Sequence, residues 1–352
     1  MPALYLASSK GLFHATLNEH SGAWESFSSV STHSTRWLVL DPHRPLLYAT
    51  AHDRESEGRK TGIVQSFRIS PTTLAAEKIS EQATEGVSAC YANVTPDGQY
   101  LVAANFTNQT PLGQGLIMRF PIDEAGKLQP ADWQARHLGS GEQRPRQEHS
   151  HPHSAVIDPS GRFFAVGDLG IDRVMLYAIS DPNWPRLGEG VQMPPASGPR
   201  HAVWSPDSRH LYVNNEMKAT VAFLEFDPAT GQAILRQIIE ALPAGWDGSR
   251  AAADLHLHPS GRFLYSSNRG HNSIATFERD LDTGQLKFLG TTPSEGEIPR
   301  GFGVSPDGEW MVVANQKSDN IALFRIDSAS GLPAFTGKTE KIASCECIRF
   351  VN

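Results

Sequence analysis

Six segments of the chain repeat one pattern of apolar and polar positions: a short apolar run, a Pro-Asp-Gly-like turn, a second apolar run, then Asn or Asp. The clearest copy is His201-Ala-Val-Trp-Ser-Pro-Asp-Ser-Arg-His-Leu-Tyr-Val-Asn-Asn215, and Leu255 to Asn268 and Gly303 to Asn315 follow it closely. The turn prolines, Pro42, Pro96, Pro159, Pro206, Pro259 and Pro306, stand 47 to 63 residues apart, the length of one four-stranded blade. Short apolar runs without polar alternation read as strands covered on both faces. A third run follows each hairpin, as in Thr220-Val-Ala-Phe223 and Asn320-Ile-Ala-Leu-Phe324, and a turn such as Asp282-Thr-Gly284 leads into a fourth.

The two ends complete the count. Leu4-Tyr-Leu-Ala-Ser8 matches a second run, Gly11-Leu-Phe-His14 a third, and Cys345-Glu-Cys-Ile-Arg-Phe350 a first. The pattern predicts an all-β, seven-bladed propeller with four antiparallel strands per blade. It forms a single domain over residues 1–352, its ring closed by N- and C-terminal strands in one shared blade. A closed ring of this kind is expected to be a monomer or a weak homodimer.

Composition narrows the partners. The chain has 39% hydrophobic and 20% charged residues, which excludes a disordered chain, and a formal net charge of -7 without a basic run. Neither nucleic acid nor an anionic membrane surface is an expected partner, and no apolar stretch is long enough to span a bilayer. Three cysteines, Cys90, Cys345 and Cys347, lack CxxC spacing and fit a reducing, cytoplasmic compartment.

Repeat offsets locate the chemistry. In each hairpin the residue entering the first strand and the residue leaving the second lie at the end away from the turn. Six residues before the prolines stand Arg36, Cys90, His153, Arg200, Ala253 and Arg300; ten after them stand His52, Phe106, Leu169, Glu216, Arg269 and Gln316. All are expected at one mouth of the central channel. Polar types gather in consecutive blades: His153 with Asp168, Arg200 with His201 and Glu216, Asp254 with Arg269, and then Arg300 and Gln316. The Asn or Asp nine after the proline, Asn268 among them, recurs in five of the six blades, a recurrence that also suits a turn cap.

The segment His149-Ser-His-Pro-His153 alternates histidines at strand period, but Pro152 interrupts the strand and no acidic or cysteine partner sits at a diagnostic spacing. No metal and no cofactor is expected. His14, His33, His137 and His210 read as ordinary surface or turn residues.

At Pro152-His-Ser154, Asp168-Leu-Gly170 with Asp172-Arg-Val174, Gly198-Pro-Arg-His201, Asn214-Asn-Glu216 and Ser267-Asn-Arg-Gly270, the chain resembles the propeller-type 6-phosphogluconolactonases. It is similar as well to the fungal carboxy-muconate lactonizing enzymes of the same fold. The resemblance spans nearly the whole chain. It implies a metal-independent site at one channel mouth and a place in the pentose phosphate pathway. The family's His, Arg, Glu and Arg fall on His153, Arg200, Glu216 and Arg269; the repeat offsets add His201, Asp168, Asp254, Asn268, Arg300 and Gln316 as residues expected around the substrate. The segment Arg144 to Ser150 departs from the pattern in being polar and basic, and Glu142 to Glu148 reads as a loop of its own, placed to tune the substrate.

The expected reaction is hydrolysis of a sugar-derived, anionic lactone. Either His153 or Glu216 serves as general base for water, and Arg200 and Arg269 hold the developing oxyanion or grip a phosphate or carboxylate. A muconate-type cycloisomerase would use the same residues in the closing direction. A non-catalytic scaffold of the WD-repeat sort is the remaining alternative, and the Trp-Asp and Gly-His signatures of that class are missing.

Overall fold

The computed structural model describes residues 2–18, 20–56, 59–108 and 113–351. Among them regular structure is strand throughout, in seven four-stranded sheets, and no helix occurs. The chain groups into two compact units, residues 1–36, 214–223 and 236–352 in the first, and 37–213 and 224–235 in the second.

The first unit holds three complete sheets. In order of pairing these are Cys345–Phe350, Ala3–Ser8, Gly11–Leu17 and Trp24–Ser31; then Ala252–Leu257, Phe263–Asn268, Ser273–Arg279 and Leu286–Pro293; and then Pro299–Val304, Trp310–Asn315, Asn320–Ile326 and Pro333–Lys341. The C-terminal strand pairs antiparallel with the N-terminal one, Leu4 opposite Phe350 and Leu6 opposite Ile348. The second unit also holds three, those beginning at Trp37–Leu40, Val87–Val94 and Pro152–Ile157. Pro199–Trp204, His210–Asn215, Thr220–Asp227 and Gln232–Glu240 form the remaining sheet.

Stacked sheets explain why the inner strands are apolar without interruption. Successive residues of a strand point to opposite faces. Along Trp310–Asn315, Trp310, Val312 and Ala314 enter a core with Leu4, Leu6, Ile348 and Phe350. Met311 and Val313 enter another with Phe263, Tyr265 and Phe302. Each face meets a neighbouring sheet, so neither is left for polar residues.

The turns follow from local chemistry. In Ser305-Pro-Asp-Gly308 the Ser305 hydroxyl donates to Asp307 at 2.5 Å, and the Gly308 amide closes the turn on the Ser305 carbonyl at 2.9 Å. Gly308 stands at φ 77°, a conformation glycine adopts without Cβ strain; the equivalent place elsewhere is taken by Ser208 at φ 58°.

At the opposite end of the hairpins the register slips by one residue. The slip falls between Ala89 and Tyr91, Pro152 and Ser154, Pro299 and Gly301, and opposite Ala7 and Ser8 at Cys345 and Cys347. The extra residues are therefore Cys90, His153, Arg300 and Glu346, and the bulge in Ala252–Leu257 takes in Ala253 and Asp254. A bulge leaves one residue outside the ladder and re-aims its side chain. Cys90, His153, Ala253 and Arg300, each six residues before a turn proline, all fall at these bulges.

Candidate functional site

In the first unit the carboxylate of Glu216 is buried and meets the guanidinium of Arg269 at 2.9 Å. Backbone pairing seats both residues. The Arg269 amide donates to the Ala251 carbonyl at 2.8 Å, and Arg269 Nη2 donates to the Ala252 carbonyl at 3.0 Å. The Ala252 amide donates in turn to the Glu216 carbonyl at 3.0 Å. A buried carboxylate must have a cationic or hydrogen-bonding partner to stay charged, and Arg269 is one.

One blade further on, Arg300 Nε donates to Glu346 Oε2 at 3.1 Å and Gln316 Nε2 to Glu346 Oε1 at 3.1 Å, while Arg36 Nε faces the same carboxylate at 3.6 Å. Sequence reasoning found Arg300 and Gln316 and missed Glu346. The seventh blade has no turn proline from which to count; the signal was the alignment of Cys345-Glu346 with Pro299-Arg300.

Asp254 and Asn268 were expected around the substrate, and both are hydrogen-bonded within the protein. Asp254 is buried and accepts from the Leu255 amide at 2.9 Å, from His256 Nε2 at 3.0 Å and from the Phe302 amide at 3.3 Å. It ties two sheets together. Asn268 is buried and donates to the Ala241 carbonyl at 2.7 Å, as Asn315 does to Ser294 at 2.8 Å, so each ties the end of its strand to the segment that follows the fourth strand of the preceding sheet.

In the second unit His153 sits in an aromatic cluster. Its ring lies 5.2 Å from that of His201 and 5.8 Å from Phe106, edge to face, and Trp37 and Tyr91 pack on His201 at 4.8 and 5.2 Å. Arg200, buried beside it, donates from Nη1 to His201 Nε2 at 3.1 Å. The Asp172 carboxylate shapes the approach to this arginine, accepting from the Ala196 and Gly198 amides at 2.7 Å and from Gln147 Nε2 at 2.8 Å. Gln147 is the buried anchor of the polar segment Glu142 to Glu148, which lays Arg146 over the Phe106 ring at 4.9 Å.

Asp168, also expected around the substrate, is hydrogen-bonded within the protein. It is fully buried and accepts from His137 Nδ1 and Ser150 Oγ at 2.6 Å, from the His151 amide at 2.7 Å and from the Gly170 amide at 3.1 Å. Burial pushes its carboxyl up, but the hydrogen bonds and charge of His137, with those of Ser150 and His151, outweigh that and hold it below the usual range. Burial overturns the surface reading of His137, whose Nε2 is hydrogen-bonded with the Tyr177 hydroxyl at 2.8 Å. Burial also overturns the surface reading of His210.

His151 stacks on Phe106 at 4.1 Å and donates from Nδ1 to the Phe106 carbonyl at 2.7 Å; desolvation pulls its pKa down. Among the described residues no group of three His, Cys, Asp or Glu side chains is arranged to hold a metal ion. A cavity of about 390 Å³ bordered by His137, Asp172, Arg173 and Gln192 contains none of the predicted catalytic residues.

Residues 3–350 match the family model described as "Lactonase, 7-bladed beta-propeller". The chain is 30% identical over 316 residues to the 6-phosphogluconolactonase of Bacillus subtilis, covering 90% of this chain and 87% of that one. It is also 30% identical over 328 residues to the 6-phosphogluconolactonase of Formosa agariphila, covering 91% and 90%. The solved structure of a periplasmic gluconolactonase from Pseudomonas aeruginosa superposes with a TM-score of 0.89 at 29% identity, covering 100% of this chain and 99% of that one.

Proposed function

Because the chain belongs to the seven-bladed β-propeller lactonase family, we propose that it hydrolyses a sugar-derived lactone, 6-phosphoglucono-1,5-lactone, with Glu216 and Arg269 at the reacting bond. The pairing of these two side chains at 2.9 Å carries the proposal. An ionised carboxylate accepts a proton from water. A guanidinium has five N–H donors in a fixed fork, enough to hold Glu216 and also face a carbonyl oxygen.

In the proposed reaction a water oxygen bonds to the lactone carbonyl carbon while its proton passes to Glu216. Negative charge collects on the carbonyl oxygen, where Arg269 opposes it. The ring C–O bond then breaks, the ring oxygen takes the proton from Glu216 and becomes a hydroxyl, and the acid product ionises to its carboxylate. His153 and Arg200 join this proposal on the repeat position they share with Arg300 and on the Gly198-Pro-Arg-His201 motif. A cytoplasmic location belongs to the same proposal, supported by three buried, unbridged cysteines.

The test is pH-stat hydrolysis of the phosphorylated lactone beside its unphosphorylated counterpart, with and without chelator, and with Glu216→Gln as control. Chelator-resistant turnover that collapses in Glu216→Gln is the expected result. Wild-type rates no higher than those of the variant would overturn the assignment.

A further inference from the structure

We infer that Arg300, seated with Arg36 and Gln316 around Glu346, receives the phosphate monoester of the substrate, an inference that rests on the lactonase reading above. The bulge between Pro299 and Gly301 puts the arginine outside the ladder, and the bond from its Nε to Glu346 fixes the plane of the guanidinium. That bond uses only the inner nitrogen. The two terminal Nη nitrogens of Arg300 have no partner among the described residues, and 24% of the side chain is exposed.

Charge points the same way. Arg36, Arg300 and Glu346 together carry one net positive charge, and the carboxylate, 4% exposed, lies deeper than either arginine. An acid set behind the Arg300 guanidinium orients it and leaves its outer edge to solvent. A neutral hydroxymethyl group would be served by amides and hydroxyls, whereas a guanidinium edge matches two oxygens of a phosphate.

Place connects this cluster to the Glu216–Arg269 pair within the first unit. Arg269 follows Asn268, which pairs with Ala252; Gln316 follows Asn315, which pairs with Pro299. The two groups therefore occupy the same level of successive sheets, and the bond from the Phe302 amide to Asp254 at 3.3 Å joins those sheets close to it. A lactone ring at Arg269 would thus extend its phosphorylated carbon along the sheet ends toward Arg300.

Two readouts test this separately from the reaction. Calorimetry with inorganic phosphate as probe needs no turnover, and the ratio of kcat/KM for the phosphorylated lactone over the unphosphorylated one reads discrimination. Arg300→Gln should weaken phosphate binding and lower the ratio by about 10- to 100-fold, the effect of losing a charge-assisted contact. Arg300→Lys, which keeps the charge and loses the fork, should fall between; it carries both readouts if the Gln variant melts early. Absence of saturable phosphate binding by the wild type, or affinity in folded Arg300→Gln within twofold of wild type, would overturn the inference. Failure of both lactones to turn over would strike the lactonase reading and leave the calorimetric result to decide the anion site.

Discussion

The Glu216 carboxylate and the Arg269 guanidinium meet at 2.9 Å, although each occupies the same place in its own repeat, ten residues past Pro206 and Pro259. Identical backbone positions in successive sheets thus carry opposite charges. Repetition supplies the geometry, and the departure from repetition supplies the chemistry.

Replacing Glu216 by Gln keeps shape and removes the proton acceptor, so kcat should fall about 10²- to 10⁴-fold, the usual worth of a general base. Arg269→Ala should lose a comparable amount by removing oxyanion stabilisation. Steady-state kinetics on variants with wild-type melting profiles check both, and near-normal rates in the pair would refute the assignment.

Asp168 and His137 form a buried bond of 2.6 Å that takes no part in the proposed reaction. Asp168→Asn should destabilise the protein by about 3–5 kcal/mol at pH 7, as breaking a buried charged pair does. The carboxyl is held below its unfolded value, so its contribution is full above that value, about pH 4, and is lost as pH falls through the folded one. Urea denaturation of wild type and variant should therefore show the stability gap narrowing only below about pH 4. A gap that stays constant into strong acid would count against this role.

Two buried tryptophans should respond differently to Phe. Trp204 donates from its indole to the Val156 carbonyl at 3.0 Å, whereas the Trp310 indole N–H is buried and without a partner among the described residues. Removing the unpaired donor offsets part of the lost packing. Trp310→Phe should cost about 1 kcal/mol and Trp204→Phe about 2–3 kcal/mol by urea denaturation. The reverse order would show that packing alone sets the cost.

Cys90, Cys345 and Cys347 are buried and unbridged, and burial holds the Cys345 thiol well above its ordinary pKa. A thiolate is the reactive form, so a chromogenic disulfide reagent should find no rapidly reacting thiol in the native protein at neutral pH and three after denaturation. Fast native labelling would contradict the burial.

The repeat of apolar runs and Pro-Asp-Gly-like turns was enough to predict seven four-stranded sheets, because a strand with sheets on both faces must be apolar at every position, as Trp310 to Ala314 are. Offsets from the turn prolines also picked out Glu216, Arg269, Arg300 and Gln316, because equal spacing along equal hairpins means equal height in the sheet. Partners were another matter. Asp168 and Asp254 stand at plausible heights, yet neighbouring backbone amides and histidines occupy their oxygens. Glu346, in the one blade without a turn proline, gathers Arg36, Arg300 and Gln316. The pattern along a chain sets which residues reach an edge; which of them spend their hydrogen bonds inside the protein depends on groups far away in sequence, and only the tertiary structure brings those together.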